Sequence, residues 1–208
     1  MILNYHDKTA LPSVLKALNN KDVFIYPTDT LYGFGGDALS DLVLNKLYLL
    51  KQRPEHMPVS MLVRDKDMLS QFAYISVNAG ILIDELLPGA LTLILPAKNT
   101  ALPDKLFSVE GYLGFRIPDQ SFCNAMIEQF DKPVITTSVN ISGHKPLNDI
   151  RSIKKQFGKE IELMISDPEL DAREKALGST VVMISKDDKW RLLREGAISI
   201  ETIDRILL

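Results

Sequence analysis

The chain has one cysteine, one tryptophan and three histidines in 208 residues, and no excess of positive charge. Each scarcity removes a class of function. The lone Cys123 cannot close an intramolecular disulfide, and no Cys and His cluster stands at zinc-ligand spacing, so no protein-bound metal is expected. Within Ser121-Phe122-Cys123-Asn124-Ala125-Met126 the thiol reads as a small core residue rather than a nucleophile. Lys and Arg number 24 against 27 Asp and Glu, a formal net charge of −3, which argues against a generally basic nucleic-acid-binding surface and leaves room only for a local basic patch. No apolar run approaches the roughly 18 residues that span a bilayer. The start, Met1 to Lys8, lacks the basic and apolar regions of a secretory leader, so a soluble, cytoplasmic protein is expected. Low-complexity segments and long linkers are missing too, and the length suits a single domain over 1–208.

What is present is an irregular alternation of helical and strand patterns. Leu11, Val14, Leu15 and Leu18 predict a helix over 9–19, and Val23-Phe24-Ile25-Tyr26 predicts a buried strand closed by Pro27. Thr28 to Ala38 reads as a loop in which Gly33, Gly35 and Gly36 let the backbone approach a ligand or take positive φ. It matches neither the dinucleotide nor the Walker phosphate pattern. Leu39–Leu50 is a helix with Ser40 or Asp41 as N-cap and Pro54 as its stop, and Val59–Val63 a strand. Helices follow over 66–72 and 76–87, a strand over 91–95 ended by Pro96, another over 114–118, and a helix over 122–130. Beyond residue 143 come a helix at 150–157, strands at 161–165 and 178–184, and a terminal helix at 200–208. The fold class is therefore α/β with a twisted, mixed sheet.

Three places invite chemistry. The stretch Pro133 to Gly143 reads as a strand with Thr136, Ser138 and Asn140 on one face and Ile135, Thr137, Val139 and Ile141 on the other. A row of neutral donors and acceptors suits a ligand groove, and an edge strand ending in the Ser142-Gly143 turn would look the same. Lys51 and Arg53 leave a helix C-terminus, where they either complement the helix dipole or clamp a phosphate or carboxylate. Arg116, inside Gly114-Phe115-Arg116-Ile117-Pro118, is either half of an internal ion pair or a ligand contact.

Seven ordered segments, Tyr26–Gly33, Lys51–Pro54, Pro88–Thr92, Phe115–Pro118, Thr137–Gly143, Ser179–Val182 and Leu193–Ala197, together resemble the motifs of the YrdC family, the threonylcarbamoyl-AMP synthases, over about residues 10–200. The resemblance implies a sheet folded around a large concave, positively charged cleft. It also implies a nucleotidyltransferase that makes L-threonylcarbamoyladenylate and pyrophosphate from L-threonine, bicarbonate and ATP, with Mg2+ accompanying the ATP. The product would pass to a downstream transferase complex that forms threonylcarbamoyladenosine beside the anticodon of tRNA. Carried over by motif, Thr28, Arg116, Thr136 and Ser179 would hold threonine, while Lys51, Arg53, Ser138, Asn140 and Arg194 would face ATP, the first four of these as the catalytic set. Several cations without neighbouring acids would then gather the anionic substrates and stabilise the departing pyrophosphate.

Two departures stand out. Met57 occupies a place where the family often has Lys, with His56 beside it, and the chain is similar to the short, single-domain, TsaC-like form. The rival reading is a tRNA- or double-stranded-RNA-binding module; RNA backbone binding calls for spread cations with interleaved aromatics, whereas here hydroxyls and an amide concentrate on one strand. Any RNA contact would then be weak and salt-sensitive. A third reading, a regulatory domain of a hydrogenase-maturation carbamoyltransferase, would require acylphosphatase and zinc-finger segments that the sequence lacks.

Overall fold

The computed structural model describes residues 1–54, 57–98, 102–108, 110–173 and 177–207. The elements in order are β1 (Ile2–Asn4), α1 (Ala10–Asn19), β2 (Phe24–Pro27), β3 (Tyr32–Gly35), α2 (Asp41–Lys51), β4 (Ser60–Leu62), α3 (Lys66–Phe72), α4 (Val77–Leu86) and β5 (Leu91–Pro96). After a 3-10 turn at Asp104–Leu106 come β6 (Tyr112–Arg116), α5 (Ser121–Phe130), β7 (Val134–Ser138), α6 (Ile150–Phe157), β8 (Met164–Ser166), α7 (Pro168–Asp171), β9 (Thr180–Ile184), β10 (Trp190–Arg194) and α8 (Ile200–Leu207). Among the described residues no helix is long and apolar enough to cross a membrane.

The described strands form one ten-stranded sheet in the order β1-β8-β2-β3-β7-β4-β6-β5-β9-β10, with parallel and antiparallel neighbours mixed, as the sequence predicts. β7 sits between its two halves. Its first residues pair with β4 (Ser60 opposite Thr136, Leu62 opposite Val134), and its last two pair with β3 (Phe34 opposite Thr137, Gly33 opposite Ser138). Apolar residues of α1, α2 and α5 close the core: Val14 and Leu18, Leu44 and Leu47, and Met126 and Ile127 are buried at helical spacing. Cys123 is wholly buried, its thiol donating to Pro27 O at 3.2 Å, and burial raises its pKa, so it is the inert core residue expected.

Several expectations need correction. Tyr32–Gly35 lies in the stretch read as a loop but is a central strand, paired antiparallel with β2 and β7. Its glycines take no positive φ. Gly35 and Gly36 serve close packing: a Cβ on Gly35 would lie 2.7 Å from the rings of Phe24 and Tyr26, and one on Gly36 would lie 2.4 Å from Val43. Pro27 does end the β2 ladder as expected, as its last residue opposite Tyr32, and Pro96 likewise closes β5 opposite Tyr112. The helix over α2 stops before Pro54. Gln52 adopts the left-handed conformation (φ 48°), its amide donating to Leu49 O and that of Arg53 to Tyr48 O, the paired bonds of a Schellman turn. β7 ends at Ser138, so Val139 to Gly143 belongs to a turn and Asn140 does not continue the strand face.

Candidate functional site

A cavity of about 530 Å³ opens beside β3 and β7. Of the residues singled out in the sequence, Thr28, Arg53, Arg116, Thr136, Ser138, Ser179 and Arg194 line it, drawn from separate elements by the sheet. Lys51 and Asn140 do not line it. Thr137, expected on the opposite face of β7, lines it as well, at the point where the strand changes partner from β4 to β3. Met57 is exposed, while the neighbouring His56 lies outside the described residues.

One wall is built around the turn between β2 and β3. The Thr28 hydroxyl donates to Leu31 O at 2.7 Å and accepts the amides of Thr30 and Leu31, so it replaces backbone partners in the turn. Thr30 in turn accepts Arg116 Nη1 at 2.7 Å, and Arg116 Nε donates to Gly89 O at 3.2 Å. Arg116 Nη2 lies 2.6 Å from Asp29 Oδ2. This last contact is one of charges rather than of aligned hydrogen bonding, because neither Nη2 nor Asp29 Oδ1 has a hydrogen-bond partner among the described residues. Arg116 is thus half of an internal ion pair and a cleft residue together. The expectation of cations without acids fails here: Asp29 balances Arg116, and Glu195 also lines the cavity while accepting the amide of Ile200.

The other walls differ. Arg53 donates from Nε to Met57 O (2.9 Å) and from Nη2 to Pro58 O (2.7 Å). Arg194 donates from Nε and Nη2 to Ser179 O, at 3.2 and 2.8 Å, and reaches Ser179 Oγ at 3.3 Å. The Ser179 hydroxyl also lies 2.7 Å from Thr92 Oγ1. Burial lowers the pKa of both guanidinium groups, with the charge of Arg116 adding to the effect on Arg194, yet a guanidinium remains protonated in proteins. Both are therefore partly desolvated cations held by neutral oxygens, the state in which an incoming anion gains most.

Gly196 positions this corner, since a Cβ there would lie 2.2 Å from Gly178 O and 2.6 Å from the Ser179 carbonyl. Its amide donates to Thr180 Oγ1 at 2.9 Å, locking the chain after Arg194 against β9. Sequence reasoning missed Thr30, Ser60, Thr92 and Lys145 as lining residues. Thr30 and Thr92 lie within the quoted motifs, where the hydroxyl itself was the signal; Ser60 and Lys145 carry none.

The fold and site define an α/β protein that folds a mixed sheet around a cleft lined by hydroxyls and guanidinium groups. The chain belongs to the Sua5/YciO/YrdC family: the family model, described as "Telomere recombination", matches residues 16–196. It is 35% identical over 198 residues, covering 95% of this chain and 91% of the relative, to a Methanocaldococcus jannaschii protein provisionally named threonylcarbamoyl-AMP synthase. It is 28% identical over 161 residues, 76% of this chain and 84% of the relative, to the threonylcarbamoyl-AMP synthase of Yersinia enterocolitica. Its fold is that of P. abyssi Sua5, whose crystal structure is complexed with L-threonine (TM-score 0.90, 24% identity); all of this chain is covered but only 61% of the Sua5 chain.

Proposed function

We propose that this chain is an L-threonylcarbamoyladenylate synthase, a nucleotidyltransferase that consumes L-threonine, bicarbonate and ATP and releases pyrophosphate. The observation that carries the reading is the convergence of Thr28, Arg53, Arg116, Thr136, Ser138, Ser179 and Arg194 on one cleft, and the synthase names of relatives aligned along most of the chain support it. The chemistry has two stages. The threonine amine takes up bicarbonate carbon with loss of water to give a carbamate, and a carbamate oxygen then attacks the α-phosphorus of ATP, displacing pyrophosphate. Charge grows on the phosphoryl and leaving-group oxygens, so fixed cations lower the barrier without a protein nucleophile.

Thr28, Arg116, Thr136 and Ser179 are assigned to threonine, and Arg53, Ser138 and Arg194 to ATP. Lys51 and Asn140 support that side from behind, outside the cavity lining. Mg2+ is assigned to the nucleotide, as the ion that accompanies ATP phosphates. A cytoplasmic place of action and transfer of the product to a separate tRNA-modifying transferase follow from this reading. Direct RNA contact would rest on the few cleft cations and be salt-sensitive.

Pyrophosphate release measured with each substrate omitted tests the proposal. Release should require ATP, threonine and bicarbonate together, and equal release without threonine would remove the synthase reading.

A further inference from the structure

A connected set of hydrogen bonds lies behind the cleft. Lys51, at the end of α2, is 1% exposed. Its ammonium donates to Ser138 O at 2.5 Å, Asn140 O at 3.1 Å and Asn140 Oδ1 at 3.0 Å. An ammonium has three protons, and three acceptors take them. The Asn140 amide is oriented independently, because its Nδ2 donates to Ile141 O and His144 O, both at 2.8 Å. Oδ1 must then face Lys51 and Ser138. Since an amide oxygen can only accept, the 2.7 Å contact between Ser138 Oγ and Asn140 Oδ1 uses the serine's own proton. The backbone closes the same latch from the other side, Ser142 N donating to Lys51 O at 2.8 Å.

We propose that Lys51 is a positioning residue: acting through Asn140, it turns the Ser138 hydroxyl proton inward and presents the serine lone pairs to the cleft. Ser138 then meets the substrates as an acceptor, suited to a substrate N–H or O–H rather than to a phosphate oxygen. The proposal rests on the synthase reading for its kinetic test. Among the described residues no carboxylate hydrogen-bonds to the ammonium; it is held by neutral oxygens, lies 5.3 Å from the centre of the Phe34 ring and has Arg53 as a charged neighbour. Burial and that neighbour push its pKa down to about 7, so the full set of three donated protons is present below about pH 7, and above it the amine keeps two of them.

The test is a double-mutant cycle on threonine-dependent pyrophosphate release with Lys51→Met, Ser138→Ala and the pair. Each single change should lower kcat at least tenfold, with the KM for ATP moving less than threefold. The double variant should fall no further than the weaker single variant, within about twofold, because both remove one device. Losses that multiply, or a Lys51→Met defect confined to the KM for ATP, would show Lys51 acting on the nucleotide directly. If Lys51→Met does not fold, Asn140→Ala replaces it in the cycle: it should reproduce the kcat defect although Asn140 does not line the cleft, and full activity would overturn the relay.

Amide hydrogen exchange on ligand-free protein separates this proposal from the synthase reading itself. In whichever variant folds, amides of residues 139–144 should exchange at least tenfold faster while those of β2 keep their protection. Unchanged exchange in that turn would refute the latch whatever the reaction proves to be.

Discussion

Arg116 and Arg194 line the same cleft but are held by opposite means. Arg116 is nearly buried, with Asp29 as its counter-charge and Thr30 and Gly89 completing its contacts. Arg194, like Arg53 on another wall, is fixed by carbonyl oxygens, which orient a guanidinium without cancelling its charge. An arginine with a half-buried acid beside it is costly to remove, because the acid is left behind; an arginine on carbonyls is cheap to remove for folding and expensive for anion binding. The cleft thus divides its cations between architecture and electrostatics.

The sharpest break of this contrast is Arg116→Ala. It strands Asp29 and should cost about 3–5 kcal/mol in urea unfolding, and Asp29→Ala added to it should recover part of the loss. A cost no greater than that of Arg194→Ala would erase the distinction. Next come Arg53→Ala and Arg194→Ala, each expected to reduce turnover roughly 10²-fold with a stability change under about 1 kcal/mol. Steady-state pyrophosphate release and thermal melts read the two quantities on the same preparations.

Lys51 sharpens the comparison as a buried amine that has no carboxylate partner among the described residues and does not line the cleft. Its folded-state pKa, about 7, lies below the ordinary 10.5, so between those values the unfolded chain binds a proton that the folded chain does not. This group's contribution to stability is complete above about pH 10.5 and is lost as pH falls to 7, with a slope of at most about 1.4 kcal/mol per pH unit. Lys51→Met should remove that slope from unfolding curves recorded across the window, and an unaltered slope would contradict the assignment. The smallest effect is expected of Arg53→Lys. It keeps the charge but loses the fork that bonds Met57 and Pro58, so about tenfold in turnover should go, roughly 1.4 kcal/mol of transition-state stabilisation.

The sequence made the mixed α/β class readable through short apolar strands bracketed by Pro and Gly, and it made Thr136 and Ser138 readable through their period of two. β3 was hidden because alternate glycines depress strand propensity, and the reason for them, two aromatic rings packed against Gly35, lies on a neighbouring strand. The roles of Lys51 and Arg53 were hidden for a different reason. Both look alike as cations at a helix end, and only the left-handed turn at Gln52 sends Arg53 to the cleft while leaving Lys51 on the buried face of α2. Nor does periodicity tell an arginine with a partner from one without, because Asp29 reaches Arg116 across the fold.

The central place of β7 has a consequence for the chain as it is synthesised. β2 and β3 can form a hairpin as soon as they leave the ribosome, but Gly33 must wait for Ser138, and Ser60 for Thr136. Until then the facing edges of β3 and β4 are open strand templates, one rich in aromatic residues and the other in large aliphatic ones. The strand that completes the cleft also seals those edges, so a nascent chain stalled short of β7 would lack the site and be sticky at once, the kind of species that chaperones retain.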